Sequence, residues 1–309
     1  MNEKETVDTD FRAGYCAIVG IPNAGKSTLL NALLGTKLSI VSRKPQTTRK
    51  RVLGIYSTAK EQIVFLDTPG IMPRPSNLLH RAMLDEVRRS FADADVVLVL
   101  AEATESVERA LPSTWNDYLK IAGKKPVVLA VSKTDLVKIK TDLLPILMQY
   151  GEHTEFTEIV PISATKKRNL EELVATLRKY LPIAKPFYET DQLSDQNDRF
   201  FVGELIRETI FQKYKEEIPY STEVEITDFK ERAKGKWFIS ADIFVERDSQ
   251  KSILIGRFGA ALKAVGESAR REIERFLETD VFLELHVKTK ADWRDNKHAL
   301  TELGYNARN

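Results

Sequence analysis

A chain of 309 residues is longer than one hydrophobic core usually organises, so two domains are expected. With 42% hydrophobic and 30% charged residues and a formal net charge of +2, the composition is that of a globular protein, and overall charge gives no basis for nucleic-acid binding; only a local cluster of basic residues can. The single Cys16 excludes an internal disulfide, the polar acidic stretch Met1–Asp10 has no apolar segment of a secretion signal, and no run of ~18 apolar residues occurs, so a cytoplasmic protein is expected.

The first element is an apolar strand, Tyr15-Cys16-Ala17-Ile18-Val19, which leads into Gly20-Ile21-Pro22-Asn23-Ala24-Gly25-Lys26-Ser27-Thr28 and then into the helical run Leu29–Leu34. Strand, glycine-bearing loop and helix in this order form a P-loop. Gly20 and Gly25 let successive amides face a polyphosphate, Lys26 neutralises its outer phosphates, and the Ser27 hydroxyl is placed to ligate Mg²⁺. Residues 37–50 are polar and basic, as in a loop that completes the Mg²⁺ shell and senses a γ-phosphate; Thr48 is favoured for that role and Thr47 is the alternative.

A second apolar strand, Ile63-Val64-Phe65-Leu66, ends in Asp67-Thr68-Pro69-Gly70. Asp67 is placed to hold Mg²⁺, and the Gly70 amide can approach a γ-phosphate because no side chain obstructs it. Strands at 96–101 and 127–131 are continuously apolar, which suits a mostly parallel sheet with helices on both faces; helical patterns near Leu78–Phe91 and Val107–Ala122 supply the crossovers. Ser132-Lys133-Thr134-Asp135 follows the last of these strands. Asp135 can accept from both N1–H and the exocyclic amine of guanine, a donor pair that adenine lacks, while Lys133 lies along the ring. The strand through Val160 ends in Ser163-Ala164-Thr165, small residues whose amides can approach guanine O6.

The order of these motifs resembles the translation-factor-type GTPases, which implies GTP and GDP as ligands with Mg²⁺ held by Ser27, Thr48 and Asp67. Two departures stand out. Ser132 replaces the usual Asn or Thr, which predicts guanine specificity with some loss of affinity. Ile71 follows the aspartate motif where Ras-like GTPases carry the water-positioning glutamine, so slow intrinsic hydrolysis is expected from a catalytic set of Asn23, Lys26, Thr48 and Gly70. Related GTPases with asparagine at the position of Asn23 bind K⁺ in place of an arginine finger; the alternative is a turn-forming residue after Pro22.

A helix over Asn169–Leu181 closes this first domain, taken as residues 1–182, and the polar stretch 183–198 reads as a linker. Beyond it, residues 199–309 follow the order αββααβ, with Gly256-Arg257-Phe258-Gly259 joining two helices. That order resembles an α+β type II KH domain, a single-stranded nucleic-acid module. The two glycines allow a sugar–phosphate backbone close to helix N-termini; Arg257, Lys251 and Lys263 add positive charge, and Phe258 either stacks on a base or packs inward.

A P-loop GTPase domain followed by a KH domain resembles the bacterial Era family over nearly the whole chain, including the segments Ser42–Arg49, Ile218–Ser221 and Ala299–Tyr305. The resemblance implies binding to 16S ribosomal RNA, assistance in maturation of the 30S subunit, a monomer, and a loose peripheral contact with the inner membrane. Two other readings are an assembly factor in which GTP is structural, and a GTPase partner of an RNA-modification enzyme. The latter is disfavoured because the C-terminal part carries no catalytic or metal-ligand cluster.

Overall fold

The computed structural model describes residues 10–42, 44–72, 74–153 and 155–305; the acidic N-terminal stretch up to residue 9 and Arg43 lie outside the described residues. The chain forms two compact units, one containing residues up to Ser39 with 48–74 and 83–195, the other 40–47, 75–82 and 196 onward.

The first unit is built from β1 (Arg12–Gly20), α1 (Lys26–Leu34), β2 (Val52–Ser57), β3 (Glu61–Asp67), the part of α2 (Leu78–Asp93) from Met83 on, β4 (Val96–Glu102), α3 (Val107–Ala110), α4 (Trp115–Ala122), β5 (Val127–Ser132), α5 (Leu143–Gly151), β6 (Glu158–Pro161) and α6 (Leu170–Lys179). Its sheet has the order β2-β3-β1-β4-β5-β6 and is parallel apart from β2, which runs antiparallel to β3. The apolar runs expected of a sheet covered on both faces are buried, and Phe91, Trp115 and Tyr118 pack together over one of them. Register places Ile18 beside Asp67, Gly20 beside Leu100, and Glu102 beside Ser132. The motif-bearing ends of β1, β3, β5 and β6 therefore lie at the same carboxyl end of the sheet, where parallel α/β sheets bind ligands.

The helix expected over Val107–Ala122 is two pieces, α3 and α4. Pro112 removes an amide and pushes Leu111 out of the helical region, to φ −120° and ψ 75°. The helix α5 was not expected, because its apolar residues do not confine themselves to one face: Leu144 and Met148 are 64% and 65% exposed. Residues 183–195 are pinned to the sheet rather than free. Buried Gln62 accepts from the amides of Phe187 and Tyr188 at 2.7 and 3.0 Å and donates to the Tyr188 carbonyl at 2.9 Å. Leu193 accepts from the Ile55 amide at 2.8 Å, Ser194 donates to the Leu53 carbonyl, and Phe187 stacks on Tyr15. A stretch without periodicity thus covers the edge strand β2, which would otherwise present unpaired backbone groups.

The second unit comprises α7 (Asp198–Lys213), α8 (Ile218–Ser221), β7 (Glu223–Lys230), β8 (Trp237–Val245), α9 (Asp248–Ile255), α10 (Ala260–Leu277), β9 (Val281–Thr289) and α11 (Lys297–Glu302). Asn197 caps α7 by accepting from the Phe200 amide at 3.1 Å. The sheet has the order β7-β8-β9, antiparallel and then parallel. One of its faces packs Ile239, Ala241 and Ile243 against Val202, Ile206 and Ile210 of α7 and Val265, Ala269 and Ile273 of α10. The tail is tied down by buried Trp293, whose Nε1 donates to the Ser221 carbonyl at 2.9 Å, and by Tyr305, whose hydroxyl donates to Glu223 at 2.7 Å. Within this unit the Lys44 ammonium donates to the carbonyls of Phe211 and Tyr214 at the end of α7, and the buried Arg207 guanidinium donates to the Thr47 carbonyl at 2.6 Å.

Candidate functional site

At the end of β1 the backbone turns through Gly20 at φ 152°, Asn23 at φ 67° and Gly25 at φ 100° before α1 begins. A Cβ on Gly20 would stand 2.6 Å from the Leu100 carbonyl oxygen, so the turn requires glycine. A Cβ on Gly25 would meet nothing within 4 Å; that side of the loop is open. No side chain caps α1, which leaves its first-turn amides available to an anion.

Lys26 is buried under this loop, its Nζ donating to the carbonyls of Gly20 at 3.1 Å and Ile21 at 3.0 Å. Burial pulls its pKa down to about 8 against the upward pull of Asp67. The Ser27 hydroxyl donates to Asp67 Oδ2 at 2.8 Å and stands 2.9 Å from Thr48 Oγ1. Asp67 is fully buried, which raises its pKa against the pull of Lys26 and of the Ser27 and Ser39 hydroxyls, and its Oδ1 makes no hydrogen bond of ordinary geometry. A hydroxyl on a buried carboxylate, a second hydroxyl bonded to the first, and an orphaned carboxylate oxygen suit a hard divalent cation that also takes phosphate oxygens. Among the described residues no group of three or more His, Cys, Asp or Glu could hold a metal, so this mixed donor set is the candidate centre. The adjacent threonines separate cleanly: Thr48 faces Ser27, while the Thr47 hydroxyl donates to the Lys44 carbonyl at 2.7 Å.

Gly70 lies against the P-loop. A Cβ there would come within 2.8 Å of Pro22, so no other residue fits without displacing the loop. Thr68 and Ile71 serve the scaffold: Thr68 Oγ1 donates to the Ile18 carbonyl at 2.8 Å, and the Ile71 amide donates to the Gly20 carbonyl at 3.0 Å. The Ile71 side chain is buried in the core with Ala17, Val19, Val87 and Val99, so it offers nothing to a ligand. Ile71→Gln, which installs the Ras-type residue, is expected to destabilise the protein by roughly 1–3 kcal/mol through an unpaired buried amide, with no gain in hydrolysis. Denaturant titration and a phosphate-release assay check both parts.

Beside the P-loop, a cavity of about 150 Å³ is lined by Ala24, Thr28, Ser132, Lys133, Asp135 and Ala164, among others. The Ser132 hydroxyl donates to the Ala24 carbonyl at 2.7 Å and bridges the end of β5 to the loop. Ser163 Oγ donates to Asp135 Oδ1 at 2.5 Å; this bond holds the carboxylate in place and its pKa below the ordinary value. Thr134 bonds the Ile162 carbonyl through both amide and hydroxyl, and Lys133 adopts φ 57° while its ammonium pairs with Glu102. The sequence reading did not single out Glu102, nor Asn31, whose side chain accepts from the amides of Leu38 and Ser39 and donates to the Ser39 carbonyl, setting the course of the chain after α1. An acid ending a strand and a polar residue inside a short helix were the only signals for them.

In the second unit, Gly256 at φ 72° and Gly259 at φ 77° join α9 to α10. A Cβ on Gly256 would stand 2.6 Å from that of Ala261, whereas one on Gly259 would meet nothing within 4 Å. Arg257, Phe258 and Lys263 are exposed and Lys251 is half-buried. Phe258 points outward, 95% exposed. The basic set thins where Arg270 pairs with Glu274 at 2.7 Å.

Comparisons with known proteins fit this geometry. Residues 15–133 match the family described as 50S ribosome-binding GTPase, and residues 217–294 match the KH domain. GTPase Era of Xylella fastidiosa (strain M12) is 42% identical over 306 residues, covering 97% of this chain and 99% of that protein. The crystal structure of a variant of Aquifex aeolicus Era bound to GDP·AlF4⁻ superposes with a TM-score of 0.89 at 41% identity, covering 96% of this chain and 99% of that one. The crystal structure of Era in complex with MgGDPNP and nucleotides 1506–1542 of 16S ribosomal RNA gives 0.91 at 41% identity, with the same coverage of both chains. The α/β P-loop domain and the KH domain of this chain thus stand in the order and over the length of those relatives, and the chain belongs to the Era family of GTPases.

Proposed function

We propose that the chain binds GTP and GDP with Mg²⁺, hydrolyses GTP slowly, and binds small-subunit ribosomal RNA through its KH domain to assist maturation of the 30S subunit. The observation that carries the nucleotide half is the Ser27–Thr48–Asp67 cluster with its orphaned carboxylate oxygen, set beside a cavity that Asp135 lines. In this reading Ser27, Thr48 and Asp67 would hold Mg²⁺, which when bound would supply positive charge against the outer phosphates. Lys26 exchanges its two carbonyl partners for phosphate oxygens, and the Gly70 amide meets the γ-phosphate. Asp135 and Lys133 select guanine, and the amides near Ala164 receive its O6. The nucleic-acid half rests on the Gly256–Gly259 loop and on the relative whose complex holds 16S ribosomal RNA. A monomer in the cytoplasm with a loose contact to the inner membrane completes the reading; among the described residues no helix is long and apolar enough to cross a membrane.

Asn23 gives the chemistry a device that Ile71 cannot. It is exposed in the P-loop at φ 67°, and a K⁺ held by its side chain would supply the charge of an arginine finger. Replacing K⁺ by Na⁺ is expected to lower turnover on the order of tenfold in the wild-type protein, well under the gain of a full arginine finger. Asn23→Ala is expected to abolish the difference. Phosphate release measured in matched salts checks this, and equal wild-type rates in both leave Asn23 as a turn residue.

A further inference from the structure

The loop between α9 and α10 holds a side chain that neither packing nor backbone geometry requires. Phe258 adopts φ 52° and ψ 29°, the left-handed conformation that glycine and asparagine accept readily and a bulky aromatic residue accepts at a cost. Its ring is also the most exposed large apolar side chain among the described residues, at 95%. A residue kept at an unfavourable backbone angle with its apolar ring in water is explained by what the ring does for a ligand.

Three features of the loop say what that ligand is. The Arg257 guanidinium lies over the Phe258 ring at 5.2 Å from its centroid, so the aromatic face already carries a cation. Gly259, next in sequence, has open space where a Cβ would be, and it precedes the first turn of α10, which has no side-chain cap and no acidic residue. An anionic backbone can therefore seat at the helix terminus immediately beside an exposed π-face. Phosphate seat, cation and flat apolar surface within four residues match a nucleotide of a single strand, whose base is free to stack. A membrane surface fits less well: a single ring stands out here, not a contiguous apolar patch.

We propose that Phe258 stacks on one unpaired base of the RNA strand whose sugar–phosphate backbone crosses Gly256–Gly259, with Arg257 bracing the ring and neutralising the adjacent phosphate. The loop then grips a base as well as the backbone. This proposal rests on the reading of the loop as the RNA site.

The test measures affinity of the full chain for the 1506–1542 segment of 16S ribosomal RNA, intact and with single abasic positions scanned along it. Phe258→Ala is expected to lower affinity by roughly 5- to 100-fold and Phe258→Trp to keep it within about threefold, as loss and retention of one base–aromatic stack require. One abasic position is expected to weaken wild-type binding by a similar factor and to leave Phe258→Ala unchanged. The ring is solvent-exposed, so thermal stability stays at the wild-type value in both variants, which shows that each folds. Wild-type affinity in Phe258→Ala, or abasic penalties equal in the two proteins, overturns the stacking. A loss confined to cosedimentation with anionic phospholipid vesicles overturns it too, in favour of a membrane role. Gly259→Asp separates the two levels: if it weakens RNA binding while Phe258→Ala does not, only the stacking is wrong, and if neither does, the loop is not the RNA site.

Discussion

Asp135→Asn is expected to lower GTP affinity by on the order of 10²- to 10⁴-fold, the cost of about 1–3 kcal/mol for each of two unpaired donors, and to shift preference toward xanthine nucleotides. Guanine presents two donors, N1–H and the exocyclic amine, and an ionised carboxylate accepts both. Ionisation is secured in the free protein, because Ser163 donates to Oδ1 and lowers the pKa of the group. An asparagine keeps one acceptor and turns an amide donor toward the guanine amine, leaving two donors opposed and unpaired. Xanthine carries a carbonyl in place of that amine, so the same asparagine pairs with it. Competition binding with GTP, XTP and ATP reads all three terms. Unchanged guanine preference in this variant removes Asp135 from the site.

The second large effect concerns the KH loop. Gly256→Asp combined with Gly259→Asp is expected to reduce affinity for the RNA on the order of a hundredfold, taking one to two ordinary contact losses, while GTP affinity stays within about twofold. The two positions act differently. Gly259 sits at φ 77° with empty space around it, so an aspartate there projects negative charge to where phosphate must lie. Gly256 has Ala261 at 2.6 Å from the added Cβ, so a side chain there also forces α9 and α10 apart. Thermal unfolding of the single variants tells charge from distortion: Gly259→Asp keeps most of the stability and Gly256→Asp loses more. RNA affinity unchanged in the double variant contradicts the assignment of the loop.

Much of the candidate nucleotide site was legible because its residues are of types whose identity is dictated by backbone approach or charge. Gly20 and Gly70 are glycine because a Cβ has nowhere to go, Lys26 and Ser27 open the helix after the first strand's loop, and Asp67 and Asp135 stand at or just past strand ends that the apolar runs already mark. What could not be read was direction. Thr47 and Thr48 are identical in type and adjacent in sequence, and only the path of the chain turns one toward Ser27 and gives the carbonyl of the other to Arg207. Whether Phe258 faced in or out was open for the same reason, since an isolated aromatic in a four-residue loop has no periodicity to place it.

The fold follows a similar division. Parallel strands announced themselves as unbroken apolar runs, and the αββααβ order emerged from alternating strands and one-faced helices. Residues 183–195 carry no such pattern because their role is to lie across β2, held by a backbone bond and by two polar side chains, Gln62 and Ser194, that sequence gives no reason to single out. Pro112 was a visible breaker, but the apolar spacing on either side of it suggested one helix where the chain makes two.

The central claim, a GTPase whose KH domain engages the small-subunit ribosomal RNA, is tested most directly by crosslinking the full chain to RNA in cells and sequencing what it holds. The account predicts crosslinks concentrated in 16S ribosomal RNA, within the 1506–1542 segment that the related Era complex contains, and their loss in the Gly256→Asp, Gly259→Asp variant. Crosslinks spread over unrelated RNAs, or a 16S signal that survives both substitutions, would contradict it.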